Sequence, residues 1–298
     1  MGKLFKIALA LFLIGVGVFA VFTVISEEPI WGLANDEDYL YNELTYDADE
    51  FTGFDFDFDN RDFIVGISED DKIKITYYTT ERDNVTVTDS GDTLKLFNDV
   101  KWTFTLFSGW NSIINDEDYF DVEVFLPASV IYDVDFNSSN GSLDMVGINN
   151  IDVLKFATSN GRIDIDNCNA TSMDFYTSNG TIELTTVEAI GLIKIKTSNG
   201  KIKLTDVEAG SIEAKSSNQK ITGVNITCSD VDFDTSNGSI SLSIYGDKED
   251  FEVFMETSNG DMTYDGVGVS QEEFNIGEDN KIKLDTSNGN IELIFIAE

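Results

Sequence analysis

The chain has 298 residues, with 55 Asp and Glu against 19 Lys and Arg, a net charge of −36, two cysteines and no histidine. The missing histidine excludes Ser-His-Asp and Cys-His nucleophile pairs, an imidazole general base and any His-containing zinc site. The acidity excludes nucleic acid and anionic membrane surfaces as partners, while 42% hydrophobic and 12% aromatic residues place the chain among those that fold around a core.

The first element in chain order is an uncharged run from Ile7 to Ile25, preceded by Lys3 and Lys6 and followed by Glu27 and Glu28. Nineteen residues at a rise of about 1.5 Å suffice to cross a hydrocarbon core of ~30 Å. Residues 1–25 therefore read as one N-terminal transmembrane helix. Lysines before the span and acids after it predict a single-pass protein of the cell membrane, its N-terminus cytoplasmic and the bulk of the chain extracytoplasmic. A cleaved signal peptide ending near Val18-Phe19-Ala20 is the competing reading, and it exports the chain equally. With no cysteine in this segment, a lipoprotein anchor is excluded.

Residues 26–48 are acidic with scattered aromatics and read as a membrane-proximal linker or short helix. Alternating strands come next, in residues 49–136, on Phe54, Phe56 and Phe58, on Ile73, Ile75 and Tyr77, on Val85 and Val87, on Leu94 and Leu96, and on Val122, Val124 and Leu126. This part is expected to be an irregular β cap over the first rung of a repeat array that begins at residue 137.

Residues 137–298 contain that repeat. A Ser-Asn-Gly turn recurs at Asn140, Asn160, Asn179, Asn199, Asn237, Asn259 and Asn288, with Asn218 an eighth copy in which Gln219 replaces the glycine. The spacings are 20, 19, 20, 19, 19, 22 and 29. Asn-Gly is a strong turn signal because both residues tolerate φ > 0. Residues six and four before each Asn, and three and five after it, are large and apolar in 30 of 32 cases, the exceptions being Ala214 and Gly223. Such alternation gives two half-buried strands per repeat.

Equivalent residues touch in a β-solenoid, where rungs stack at ~4.8 Å, but not in a meander of hairpins. Repeated Thr, Ser and Asn at one turn favour the stack, since identical side chains then form ladders. The predicted fold is all-β: a parallel β-helix or β-roll-like solenoid of about eight two-stranded rungs. The outward column Asp135, Lys155, Asp174, Lys194, Glu213, Asp232 alternates charge over its first five members, as stacked rungs require.

An N-terminal anchor, the strands "FTGFDFDF" and "GDTLKLF", the aromatic stretch "KWTFTLFSGW", the strand "VEVFLPASV" and the "TSNGxIxL" units together resemble the putative-adhesin family of β-strand-repeat surface proteins of unknown function. The resemblance covers roughly residues 50–298. It implies a surface-exposed β-solenoid and supplies no catalytic residues.

Candidate chemistry is sparse. Cys168 falls in an apolar column, and Cys228 lies three repeats on, about 14 Å along a stack of ~4.8 Å steps, so two free thiols are expected. Asp55, Asp57 and Asp59 share one strand face, which by itself cannot provide the six to eight oxygens that calcium takes. The Asn-x-Ser/Thr sites at Asn84, Asn137, Asn140, Asn169, Asn179, Asn225 and Asn237 arise partly from the turn motif itself. No catalytic, metal or cofactor-binding residues are assigned, and no cofactor is expected.

The leading expectation is a non-enzymatic, membrane-anchored protein with a surface-binding, adhesive or envelope-structural role. Its partners would be the membrane through residues 7–25, a glycan or cell-surface protein, and a second copy stacked on an open sheet edge at Ile291, Leu293, Phe295 and Ile296. One alternative is a polysaccharide-acting β-helix enzyme using Arg162, Asp164, Asp166 and Glu183. Another is a sensory or regulatory ectodomain that needs a membrane partner.

Overall fold

In the computed structural model, residues 39–80, 83–100 and 121–297 are described, all within the larger of the two units into which the chain divides, Tyr39–Trp102 with Glu117–Glu298. The segment expected to span the membrane lies outside the described residues, as does "KWTFTLFSGW". Among the described residues no helix is long and apolar enough to cross a membrane.

The alternating pattern produces β structure throughout. The N-terminal strands are β1 (Leu40–Asp47), β2 (Gly53–Phe58), β3 (Asp62–Ile67), β4 (Lys72–Thr79), β5 (Asp83–Ser90), β6 (Thr93–Val100) and β7 (Asp121–Leu126). The repeats form β8 (Tyr132–Ser138), β9 (Leu143–Val146), β10 (Ile151–Thr158), β11 (Ile163–Thr177), β12 (Ile182–Thr197), β13 (Ile202–Ser216), β14 (Ile221–Thr235) and β15 (Ile240–Tyr245). The chain finishes with β16 (Phe251–Thr257), β17 (Met262–Tyr264), β18 (Val267–Val269), β19 (Glu273–Phe274), β20 (Asn280–Thr286) and β21 (Ile291–Ile296).

Each rung places the strand before its Ser-Asn-Gly turn in one sheet and the strand after it in a second. Equivalent residues pair in parallel from rung to rung, as in the column Ile163, Ile182, Ile202, Ile221, Ile240. The solenoid expectation holds. The core lies between the sheets: Met173, Phe175, Ile182 and Leu184, and their counterparts in neighbouring rungs, are buried. The two small exceptions fit one neighbour, because Ala214 faces Phe233 across the register and a Cβ on Gly223 would meet Leu242 Cδ1 at 2.9 Å.

The two strands expected per repeat are not separate throughout. In β11 to β14 the strand after one turn continues into the strand before the next, bending at the seventh residue after Asn. That residue is left-handed in Asn167, Thr186 and Asp206, each with φ 53°, and in Asn225 with φ 57°; Gly147 takes the same place with φ 76°. Four of these five are residue types that enter this region readily, and Thr186 is not.

The stack also extends beyond the visible repeats. Strands β2 and β3 form a further rung, with β2 parallel to β8 and β3 parallel to β9. Its turn is Asp59-Asn60-Arg61, and Phe54, Phe56, Phe63 and Val65 fill the four apolar positions. Strands β6 and β7 pair in parallel with the other edges of β2 and β3. Antiparallel strands close this end: β5 on β6, β4 on β7 and β1 on β4. Residues 40–47, read from sequence as linker or short helix, are therefore the strand that covers the edge of β4.

At the other end, chain order and spatial order part company. The Asn237 rung is followed in space by the Asn288 rung, with β20 on β14 and β21 on β15. The Asn259 rung is outermost, β16 on β20 and β17 on β21. Strand β21 thus has β15 along its full length on one side and β17 over Ile291–Leu293 on the other, so the open edge expected at Ile291, Leu293, Phe295 and Ile296 is covered at Ile291 and Leu293, while the pairing with β17 does not reach Phe295 and Ile296. The reason is the segment between β17 and β20. It folds back antiparallel, pairing β18 with β17 and β19 with β16, and stacks Phe274 on Tyr264 with ring centroids 4.3 Å apart. With that side occupied, the last rung takes the other one.

Candidate functional site

The feature that repeats most faithfully is the turn, and each of its residue types has a separate task. The Thr or Ser two before Asn is mostly buried and bonds in two directions. Thr177 Oγ1 donates to Gly161 O at 3.2 Å and accepts from Gly180 N at 3.0 Å; Thr197 Oγ1 donates to Gly180 O at 3.3 Å and accepts from Gly200 N at 3.0 Å. Backbone groups that face the interior are satisfied this way at Ser138, Thr177, Thr197, Ser216 and Thr235.

The asparagines form an exposed ladder in which each Nδ2 donates to the Oδ1 of the preceding rung. In spatial order it runs Asn60, Asn140, Asn160, Asn179, Asn199, Asn218, Asn237, Asn288, Asn259, with distances of 2.5–3.0 Å. Asn60 was invisible as a repeat because Asp59 and Arg61 flank it in place of Ser and Gly; the apolar spacing around it was the available signal.

The turn glycines are needed for proximity and not for conformation. Among the described residues, the positive-φ positions do not include any turn Asn or Gly, contrary to the expectation from Asn-Gly. Instead, a Cβ on Gly180 would lie 1.7 Å from Gly161 O, and one on Gly200 1.6 Å from Gly180 O. Glycine is the residue that lets two backbones approach so closely.

Where Arg61 replaces the glycine, its side chain is 2% exposed, with Nη2 2.6 Å from Asp83 Oδ2 and the guanidinium 5.4 Å above the Phe58 ring. Asn98 also donates to Asp83. This pair, a buried guanidinium on a half-buried carboxylate, ties β5 and β6 to the first turn and had no signature in the sequence.

The outward face of the first sheet carries the expected alternating charges. Lys155 lies 3.9 Å from Asp135, Lys194 3.7 Å from Asp174, and Lys215 reaches both Glu213 at 2.9 Å and Asp232 at 3.4 Å. Lys215 bonding holds the Glu213 carboxyl below its usual range. The column continues into the cap, where Lys95 is 2.5 Å from Asp55. Beside it, Thr52, Gly53, Asp55, Thr93, Asp133, Asp135 and Lys155 line a shallow groove of about 290 Å³.

The other candidates are separated by the structure into distinct places. Asp55 is committed to Lys95, while partial burial and the neighbouring Asp59 and Asp55 push the Asp57 carboxyl up. Among the described residues no group of three or more His, Cys, Asp or Glu could hold a metal. On the second sheet, Arg162 contacts Asp164 and lies 3.4 Å from Glu183, which Lys203 meets at 2.5 Å. Asp166 is not in that network. Burial outweighs Arg162 at Asp164, whose carboxyl is pushed up. Cys168 and Cys228 are buried free thiols, raised by burial to about 11 and about 12.

Comparison with known proteins adds a family. The family model described as Toastrack DUF4097 matches residues 52–294. No curated protein matches the chain. Among solved structures, a "putative adhesin" from Bacteroides fragilis is similar at 14% identity and a TM-score of 0.50, over 86% of this chain and 97% of that one. Another "putative adhesin", from Parabacteroides distasonis, is 12% identical with a TM-score of 0.46, covering 87% and 98% of the two chains.

Proposed function

This chain belongs to the Toastrack family, and from that premise we propose that it is a non-enzymatic binding or adhesion protein of the cell envelope, held to the membrane by residues 7–25. The observation that carries the reading is the stack itself. Nine asparagines repeat along one stack at the inter-rung step, eight of them with a Ser or Thr two residues before and eight with a charged residue five before. A ligand that also repeats, such as a surface glycan chain, gains from many weak contacts acting together. The names of the similar structures agree with a surface role and are no more than that.

The ion pairs support reading the carboxylates as structural. Arg162, Asp164, Glu183 and Lys203 form one chain of opposite charges across adjacent rungs, the cross-strand arrangement that stabilises a sheet. The membrane role rests on Lys3 and Lys6 before the apolar run and Glu27 and Glu28 after it.

The test is a binding screen of the full chain in detergent against neutral and acidic glycans and isolated cell envelopes, with protease accessibility in intact cells as a second arm. Saturable binding that weakens as the glycan is shortened is the expected result. Binding indifferent to chain length, or none, would overturn the ladder as the ligand surface. Protection of the solenoid from external protease would overturn the localisation.

A further inference from the structure

The turn motif places seven Asn-Gly dipeptides in one protein, at Asn140, Asn160, Asn179, Asn199, Asn237, Asn259 and Asn288. Asn-Gly is also the dipeptide most open to spontaneous deamidation, in which the glycine backbone nitrogen attacks the Asn Cγ. That step forms a C–N bond, breaks the Cγ–Nδ2 bond and releases ammonia, the backbone amide proton being passed through solvent to the departing nitrogen. Water then opens the cyclic imide to aspartate or isoaspartate. Two groups must be free for it, the glycine N–H and the Asn carboxamide.

The fold holds both groups at most of these sites. The N–H of Gly141, Gly161, Gly180, Gly200 and Gly238 donates to the Thr or Ser hydroxyl three residues before it, and all five glycines are buried. The Asn carboxamide at these turns is held from both sides by the ladder. Asn288 is an intermediate case. Its carboxamide donates to Asn237 and Ser236 and accepts from Asn259, although its glycine is half-buried.

The Asn259 turn differs in the bonds its carboxamide accepts and in the exposure of its glycine, because it belongs to the outermost rung. Its Nδ2 makes the single bond to Asn288 Oδ1 at 2.9 Å. The Thr257 hydroxyl donates to Gly289 O at 2.8 Å, as Thr177 and Thr197 donate to the glycine carbonyls beside them, but unlike those it accepts no hydrogen bond from its own turn's glycine N–H. Gly260 is the exposed member of the seven glycines.

We infer that Asn259 is a chemical modification site, the position at which this protein deamidates in its folded state, producing a carboxylate or an isopeptide kink at the open end of the ladder. The product carboxylate faces Asn288 Oδ1 and has no proton to donate, so the terminal rung loses its ladder bond. Each further hydrogen bond that must open before attack slows the reaction by roughly tenfold.

The experiment ages the full chain in detergent at mildly alkaline pH and follows all seven sites by peptide mapping with isoaspartate-resolving mass spectrometry. A parallel sample is aged in denaturant. The shared Ser-Asn-Gly sequence predicts comparable rates at all seven sites in denaturant. In the native protein Asn259 is expected to react at least about tenfold faster than the five buried turns, with Asn288 between them. Equal native rates, or an interior turn reacting first, would overturn the inference. An Asn259→Gln variant, whose longer side chain cyclises slowly, is expected to remove the dominant product and leave the rates of the five interior turns unchanged; persistence of that product would also refute the assignment.

Discussion

The hydroxyl ladder can be tested at Thr197, which is 2% exposed. Replacing Thr197 with Val keeps its shape and removes two hydrogen bonds, the one donated to Gly180 O at 3.3 Å and the one accepted from Gly200 N at 3.0 Å. At about 0.5–1.5 kcal/mol net for each bond, the loss is roughly 1–3 kcal/mol, and the upper half of that range applies because a buried N–H is left unpaired. Thr197→Ser keeps both bonds and gives up one methyl, about 0.8 kcal/mol. Ser138 and Ser216 already occupy equivalent positions, each donating to the carbonyl of the neighbouring turn. Urea unfolding measures both variants, and the valine variant is expected to unfold at lower denaturant with an unchanged slope. If Val matched the wild type, or Ser lost as much as Val, the hydroxyl would be a space-filler and the ladder argument would fail.

Three other outcomes are expected from the same geometry. Gly200→Ala places a Cβ 1.6 Å from Gly180 O, and two paired backbones cannot both yield, so a loss above about 4 kcal/mol is expected, seen as a collapsed melting temperature or insoluble expression. Thr186→Asn relieves a β-branched residue at φ 53° and should raise stability by about 1 kcal/mol in thermal melts; no gain would mean that the corner imposes no strain. The Asp57 carboxyl is raised in the fold, so the folded state holds its proton more tightly than the unfolded chain, and this group's stabilising contribution grows as pH falls through its folded value toward 3.8. Asp57→Asn should therefore stabilise the protein at neutral pH and flatten the dependence of midpoint on pH across the acid range, whereas an unchanged pH profile would rule this out.

The fold class was legible because a solenoid writes its stacking into the sequence. Columns such as Ile163, Ile182 and Ile202 recur at the rung period, and the turn recurs because its Asn bonds its own copy one rung away, its Thr bonds the neighbouring turn's glycine carbonyl and its glycine lets the two backbones approach. Charge alternation along Asp135, Lys155, Asp174 and Lys194 was readable for the same reason. The burial of Cys168 was expected from its place in an apolar column, and both thiols were expected to be free because three rungs separate them.

The sequence could not determine which rung neighbours which. Every rung presents the same apolar columns, so the last one can stack on either face of the Asn259 rung with equal complementarity. The choice is made by β18 and β19, whose antiparallel pairing occupies one face, and such pairing has no sequence period. The Asn60 rung was hidden likewise, since its identity depends on Asn140 being its neighbour across eighty residues of chain. Arg61 shows the limit most plainly: a guanidinium next to an Asn reads as a solvated charge until the fold brings Asp83 and Phe58 around it. Local periodicity determines what a rung is, while long-range contacts, which carry no repeat of their own, decide where the stack begins, where it ends and which of its asparagines stands at the open end.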